Sequence, residues 1–227
     1  MGILKTITEE YFGDIIRKED EINIEGLDVE IVSFTDNNKE YHKRGYKPKD
    51  TDNLKELLER MIEVRGDEGD FNDIDTSDIK IMDSLFRENS TFNGDITGWD
   101  VSKVKDMSFM FAGASSFNQP IGNWNVSSVE NMYSMFQQAK SFNQPIGGWN
   151  VLEVISMACM FYCATSFNQP IGNWKVSKVK RINYMFFSAK SFNQDLSKWD
   201  LTGKYIGDMF YGCPIKDEYK PKMKTKN

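Results

Sequence analysis

Trp99, Trp124, Trp149, Trp174 and Trp199 stand 25 residues apart without exception, and Phe92, Phe117, Phe142, Phe167 and Phe192 keep the same interval. A constant period of this length marks a chain built from stacked copies of one supersecondary unit, each copy burying its apolar face against the next. The string SFNQPIGNWNVS at 116–127 returns as SFNQPIGGWNVL at 141–152 and as SFNQPIGNWKVS at 166–177. A chemical site needs unlike groups brought together once, so a string repeated in register reads as scaffold. If neighbouring units pair through strands, equivalent residues lie about 4.8 Å apart and like sits on like.

Other columns share the period. Asn93, Asn118, Asn143, Asn168 and Asn193 follow the Phe column, and Met-Phe pairs recur at 110–111, 135–136, 160–161 and 185–186. A degenerate first unit is visible around 74–79, and a shortened last one reaches Met209 and Phe210, 24 residues after the preceding pair. The array therefore spans 71–214. The Trp, Phe and Met columns are expected to form the core, and Asn118, Asn143 and Asn168 to satisfy backbone groups at a turn. Val104, Met107, Met110, Phe111 and Ala114 fall at offsets of three and four, which predicts one or two helical turns in that half of the unit. The other half, around 117–121, reads as a brief extended segment. Pro120, Pro145 and Pro170 must then lie at its end, since proline cannot donate to a ladder.

The pattern W-x-V-S-x-V-x-x-M-x-x-M-F-x-x-A-x-S-F-N-Q-x-I resembles the BspA-type leucine-rich repeats of bacterial surface proteins and mycoplasma-type lipoproteins. That resemblance implies an α/β fold, a right-handed leucine-rich-repeat-like solenoid of 25-residue units with a sheet on one side. It also implies a role in binding proteins, often host proteins, in the surface members of that family. The members of that family carry an export signal or a lipoprotein cysteine; the start MGILKTITEE shows neither.

Ahead of the array, a small α+β region completes the expected fold. Asn53 followed by Glu56 reads as a capping box, and Leu54, Leu57, Leu58, Met61 and Ile62 give an apolar face that Gly66 ends. Such a helix at 51–66 suits a lid on the open cross-section of the first unit. Alternation through 22–34, the turn signal at 36–39 and the approach to Tyr46 predict a hairpin, with a helix before it around Ile7, Tyr11, Ile15 and Ile16. The expected division is a small N-terminal segment at 1–50, the capping helix and linker at 51–70, the array at 71–214 and a frayed basic tail at 215–227.

Charge and reactive groups narrow the function. The chain carries a net charge of -6, but residues 1–80 hold 12 Lys/Arg against 22 Asp/Glu, and residues 81–227 hold 16 against 12. The weakly basic array lacks the field of a nucleic-acid binder. No apolar run is long enough to span a membrane. Read as complete, the chain belongs in the cytoplasm; with an export signal removed, on the cell surface. Cys159, Cys163 and Cys213 form no disulfide framework, and the one histidine, His42, lies far from them, so neither structural zinc nor any other metal or cofactor is expected. Cys159 and Cys163, four apart, would share a helical face. The array has no histidine to activate a Ser or Cys, Asp95, Asp100, Asp195 and Asp200 recur as no regular acid pair, and the acidic 67–78 stretch lacks an EF-hand pattern. An enzyme or sensor would have to build its site in residues 1–50.

The remaining expectation is a monomeric protein-interaction module, either a surface module or an intracellular scaffold, whose partner is a protein. Its site should lie where the copies differ. With the helical half starting near 103, columns 105, 109 and 112 form a stripe beside the buried one. In the last units that stripe gathers Tyr162, Tyr184, Phe187 and Tyr211, flanked by Lys178, Lys180 and Arg181. Aromatic rings beside cations are the composition of an interface hot spot.

Overall fold

The structure is a computed structural model and describes residues 22–35 and 42–221. Its regular elements are strands β1 (Val29–Thr35) and β2 (His42–Pro48), helix α1 (Thr51–Arg65), and 3₁₀ turns at Ile121–Asn123 and Asp217–Tyr219. The strands pair antiparallel, from Val29 opposite Pro48 to Thr35 opposite His42. The turn joining them and the helix expected around Ile7 to Ile16 lie outside the described residues.

Helix α1 occupies the span expected for it at 51–66, but its N-cap differs from the capping box. Asp50, not Asn53, is the N-cap, its carboxylate accepting the Asn53 N–H at 3.0 Å. At the other end Gly66 takes a positive φ of 75° and donates to the Ile62 carbonyl. Leu54, Leu57, Leu58 and Met61 are buried in one core with Phe71, Ile74, Met82 and Phe86 of the first unit. The helix shares this end with the hairpin: Tyr46 of β2 donates to the Asp73 carbonyl, accepts from the Asp75 N–H, and bridges in parallel to Ile74. Arg65 locks the junction through two 2.7 Å bonds to the Asp73 carboxylate, whose side chain is only 4% exposed.

The predicted helical half of each unit is not helical. In residues 106–114 two kinds of hydrogen bond alternate. Met107, Phe109, Phe111 and Gly113 donate to the carbonyls of Asn131, Tyr133, Met135 and Gln137 in the next unit, at 2.7–2.9 Å. Met110, Ala112 and Ala114 instead close turns on the carbonyls of Met107, Phe109 and Phe111. Two left-handed residues per unit force this pattern: Phe109 and Gly113, Ser134 and Gln138, Cys159 and Cys163, Tyr184 and Ser188, all with φ between 53° and 77°. A left-handed residue at every such position costs a non-glycine about 1–2 kcal/mol. The bonds across units, repeated in the same register, offset that cost. Cys159 and Cys163 are thus both left-handed turn residues rather than neighbours on a helix face.

No continuous sheet is present in the array among the described residues. Isolated parallel bridges link Ile81, Asp106, Asn131, Ser156, Arg181 and Tyr205 in succession. The segment around 117–121, expected to be extended, pairs in no ladder: 117–120 have no regular secondary structure, and a 3₁₀ turn begins at Ile121. Its asparagines act through side chains: the Oδ1 atoms of Asn93, Asn118, Asn143 and Asn168 each accept the backbone N–H of the asparagine 25 residues on, at 2.9 Å. The following glutamines reinforce this, Gln119, Gln144, Gln169 and Gln194 each donating to the carbonyl of the preceding unit's asparagine. The ladder ends on Lys216, whose N–H bonds Asn193 Oδ1.

Between the two ladders runs the core. Within a unit, Phe111 stacks on Phe117 at 3.9 Å and Phe136 on Phe142 at 4.0 Å, while Phe111 and Phe136 stack across units at 5.5 Å. Trp149, Trp174 and Trp199 form a parallel column at 6.4–6.5 Å, and all five tryptophans are at most 4% exposed. The indoles of Trp99, Trp149 and Trp174 donate to the carbonyls of Phe71, Ile121 and Ile146. Gly122, Gly147 and Gly172 stand where a Cβ would overlap the carbonyl oxygen of Pro145, Pro170 and Asp195 in the next unit, so glycine there permits close stacking rather than merely ending a segment.

The described part of the tail is ordered by contacts rather than frayed. Tyr219 accepts from the Leu196 N–H, and Ile215 is buried.

Candidate functional site

With no helix in the repeat, columns 105, 109 and 112 do not form one solvent stripe. Column 105 is exposed and pairs through its backbone, Lys105 donating to Lys80 and Lys180 to Ile155. Column 109 is left-handed and partly interior: Ser134 is fully buried. Column 112 is buried at Ala112 but opens toward the C-terminal end, reaching 65% exposure at Tyr211.

Stacking brings the predicted aromatic residues together. The rings of Tyr162 and Phe187 lie parallel at 4.8 Å, and those of Phe187 and Tyr211 at 4.9 Å. Tyr184 joins from column 109, its ring 6.0 Å from Phe187 and tilted by 57°. The unit repeat creates this geometry: residues 24 or 25 apart are set one above another, so three aromatic side chains in one column must stack. The Asp208 carboxylate beside Tyr184, with Tyr205 also near, pushes the Tyr184 phenol above its ordinary pKa.

The cations divide. Lys178 is engaged by Glu153 of the preceding unit at 2.6 Å. Lys180 and Arg181 are exposed and make no ion pair among the described residues. Arg181 also belongs to the backbone bridge column, three residues before Tyr184.

Burial raises the pKa of the Cys159, Cys163 and Cys213 thiols, which disfavours the nucleophilic thiolate. Among the described residues no His, Cys, Asp and Glu side chains group in a way that would hold a metal. Asp95, Asp100 and Asp195 cap local turns, each accepting the N–H two residues on. No helix of the described structure is long and apolar enough to cross a membrane.

Two features of the surface escaped sequence reasoning. Arg87 lies 4.6 Å over the Phe109 ring, and Phe109 meets Tyr133 edge-on at 5.0 Å, a second aromatic group near the first units. Phe109 was visible in its column, but its partners sit in columns 108 and 112, and only the left-handed turn brings them together.

Comparison with known sequences gives the class. The profile of a family described as Mycoplasma protein of unknown function, DUF285, matches residues 52–163 and again 148–218, with the period seen above carried through both matches. The chain belongs to that bacterial repeat family. No curated relative and no solved structure matched it.

Proposed function

We propose that the chain is a non-catalytic protein-interaction module, a right-handed solenoid of the BspA-type leucine-rich-repeat kind, which binds its partner through Tyr162, Tyr184, Phe187 and Tyr211. One observation carries the reading: three rings stacked in column 112 open to solvent at the same end where Lys180 and Arg181 stand unpaired by described residues. Rigid aromatic rings supply contact area at little entropic cost, and neighbouring cations add orientation. A surface position, with a host protein as partner, is the form of this reading that the BspA resemblance favours.

The test is the double substitution Tyr184→Ser with Phe187→Ser. Capture of the partner from host-cell or source-cell extract is lost, while the melting midpoint moves little, because half-exposed contact residues on a stacked scaffold contribute more to binding than to folding. An unchanged set of captured proteins refutes the site. A large fall in midpoint returns the aromatics to the core.

A further inference from the structure

Four positions per unit in the turn strip donate in one direction only. Met107, Phe109, Phe111 and Gly113 donate forward to the next unit, and the same four positions do so in each unit that follows, ending with Ile182, Tyr184, Phe186 and Ser188. The last unit places Ile206, Asp208, Phe210 and Gly212 in those positions, with the left-handed φ of 49° and 66° at Asp208 and Gly212 that marks them. Their four N–H groups find no acceptor among the described residues. The described chain beyond them, 213–221, leads to Leu196 and Asn193 on the other ladder, and none of those residues hydrogen-bonds to this row. Ile206 and Phe210 are half-buried, whereas their interior counterparts Ile182 and Phe186 are fully buried. An open row of parallel donors is a template for association.

The opposite end of the array is closed by α1. Thr51 donates to the Ile81 carbonyl, and Leu54, Leu57, Leu58 and Met61 cover the first unit. On the face turned away from that core, Asp52, Glu56, Glu59 and Glu63 are exposed at intervals of four, three and four. That spacing lines four carboxylates along one side of the helix over about 16 Å, Glu56 being held by Arg60 at 2.7 Å and the other three in no ion pair among the described residues. Overall charge follows the same polarity: residues 1–80 hold 12 Lys/Arg against 22 Asp/Glu, and residues 175–227 hold 12 against 5.

We infer that the open donor row at Ile206, Asp208, Phe210 and Gly212 receives the carboxylate stripe of α1 from a second copy of this chain, head to tail. Carboxylates accept amide N–H groups through charge-assisted bonds, and the two complementary ends belong to one molecule, so each copy supplies what the next lacks. A contact between unlike surfaces does not close on itself and builds open chains. The sequence led to the expectation of a monomer with α1 as a lid; the outward acidic face of that lid is what the other end fits.

Sedimentation equilibrium of the full chain tests this. At about 20 mM salt the average mass rises with concentration to at least roughly twice that of the monomer, and at about 0.5 M salt it returns to the monomer, as screening requires. Glu59→Lys with Glu63→Lys, and separately Ile206→Asp, each give monomers at low salt. Mixing the two variants restores one good end from each and yields a dimer that grows no further. Should Ile206→Asp lower the melting midpoint substantially, Lys216→Glu with Lys220→Glu replaces it at the same end. A wild-type chain that stays monomeric at low salt overturns the inference, as does a mixture that stays monomeric. Association that appears only after removal of 222–227 assigns the row to the chain's own tail, and a monomer that binds an acidic peptide there assigns it to a foreign partner; both results also overturn it.

Discussion

Gly147 packs so closely on Pro170 of the next unit that a Cβ at Gly147 would overlap the proline's carbonyl oxygen. Backbone, unlike a side-chain tip, has little room to yield. Gly147→Ala therefore costs about 1–3 kcal/mol through forced separation of two units. Gly148→Ala, next door with nothing within 4 Å of its Cβ, stays within about 0.5 kcal/mol of the parent. Urea melts of both variants check the pair; equal losses would mean the units do not meet there.

Trp149→Ala removes a side chain that is 4% exposed, stacks on Trp174, and donates its indole N–H to Ile121. The loss is about 3–5 kcal/mol, from the cavity and from broken stacking. A denaturant melt showing under about 1 kcal/mol would place the Trp column outside the core.

Period, column identity and the meeting of Tyr162, Tyr184, Phe187 and Tyr211 were legible in the sequence, because a constant spacing fixes which residues stack whatever path the backbone takes between them. The path itself was not. Val104, Met107, Met110, Phe111 and Ala114 have helical offsets, but a chain of tight turns buries the same offsets. What separates the two is the left-handed residue at column 109, and Phe109, Ser134, Cys159 and Tyr184 there carry no compositional sign of it. Gly113 and, in the last unit, Gly212 are the hints in column 113. The Asn column was readable as a turn group, yet that its acceptor serves the next unit rather than its own depends on that same path. Likewise 67–78 looked simply acidic, whereas Asp73 is committed to Arg65 by the way α1 enters the array.

That ion pair gives a third prediction. The Arg65 side chain is 15% exposed and Asp73 4%, so Asp73→Ala leaves a nearly buried guanidinium without its partner. Loss of one member of such a pair costs about 3–5 kcal/mol. Because the pair ties α1 to the first unit, limited proteolysis should cut near Gly66 faster in the variant than in the parent.

Acid should loosen the same end by a separate route. Asp78 bonds both Lys103 and Lys47, each at 2.7 Å, and these two partners lower its pKa from 3.8 to about 2. A depressed folded-state pKa contributes stability that is full above the ordinary carboxylate value and is lost as pH falls through the depressed one. The clamp between β2 and the array therefore weakens between pH 3.8 and about 2. Hydrogen exchange at Tyr46 should accelerate over that window, and Asp78→Asn should flatten the response.

In the proposed function, some columns hold the chain together and one column surface binds. A photo-reactive phenylalanine analogue placed singly at 137, 162, 187 and 211 in column 112, and at Asn125, Asn150 and Lys175 in the turn after each tryptophan, maps contact directly in an extract containing the partner. Cross-links to one partner are expected at 162, 187 and 211, few at 137, and none after the tryptophans. Cross-links spread evenly over both columns, or confined to 125, 150 and 175, would contradict the proposed function.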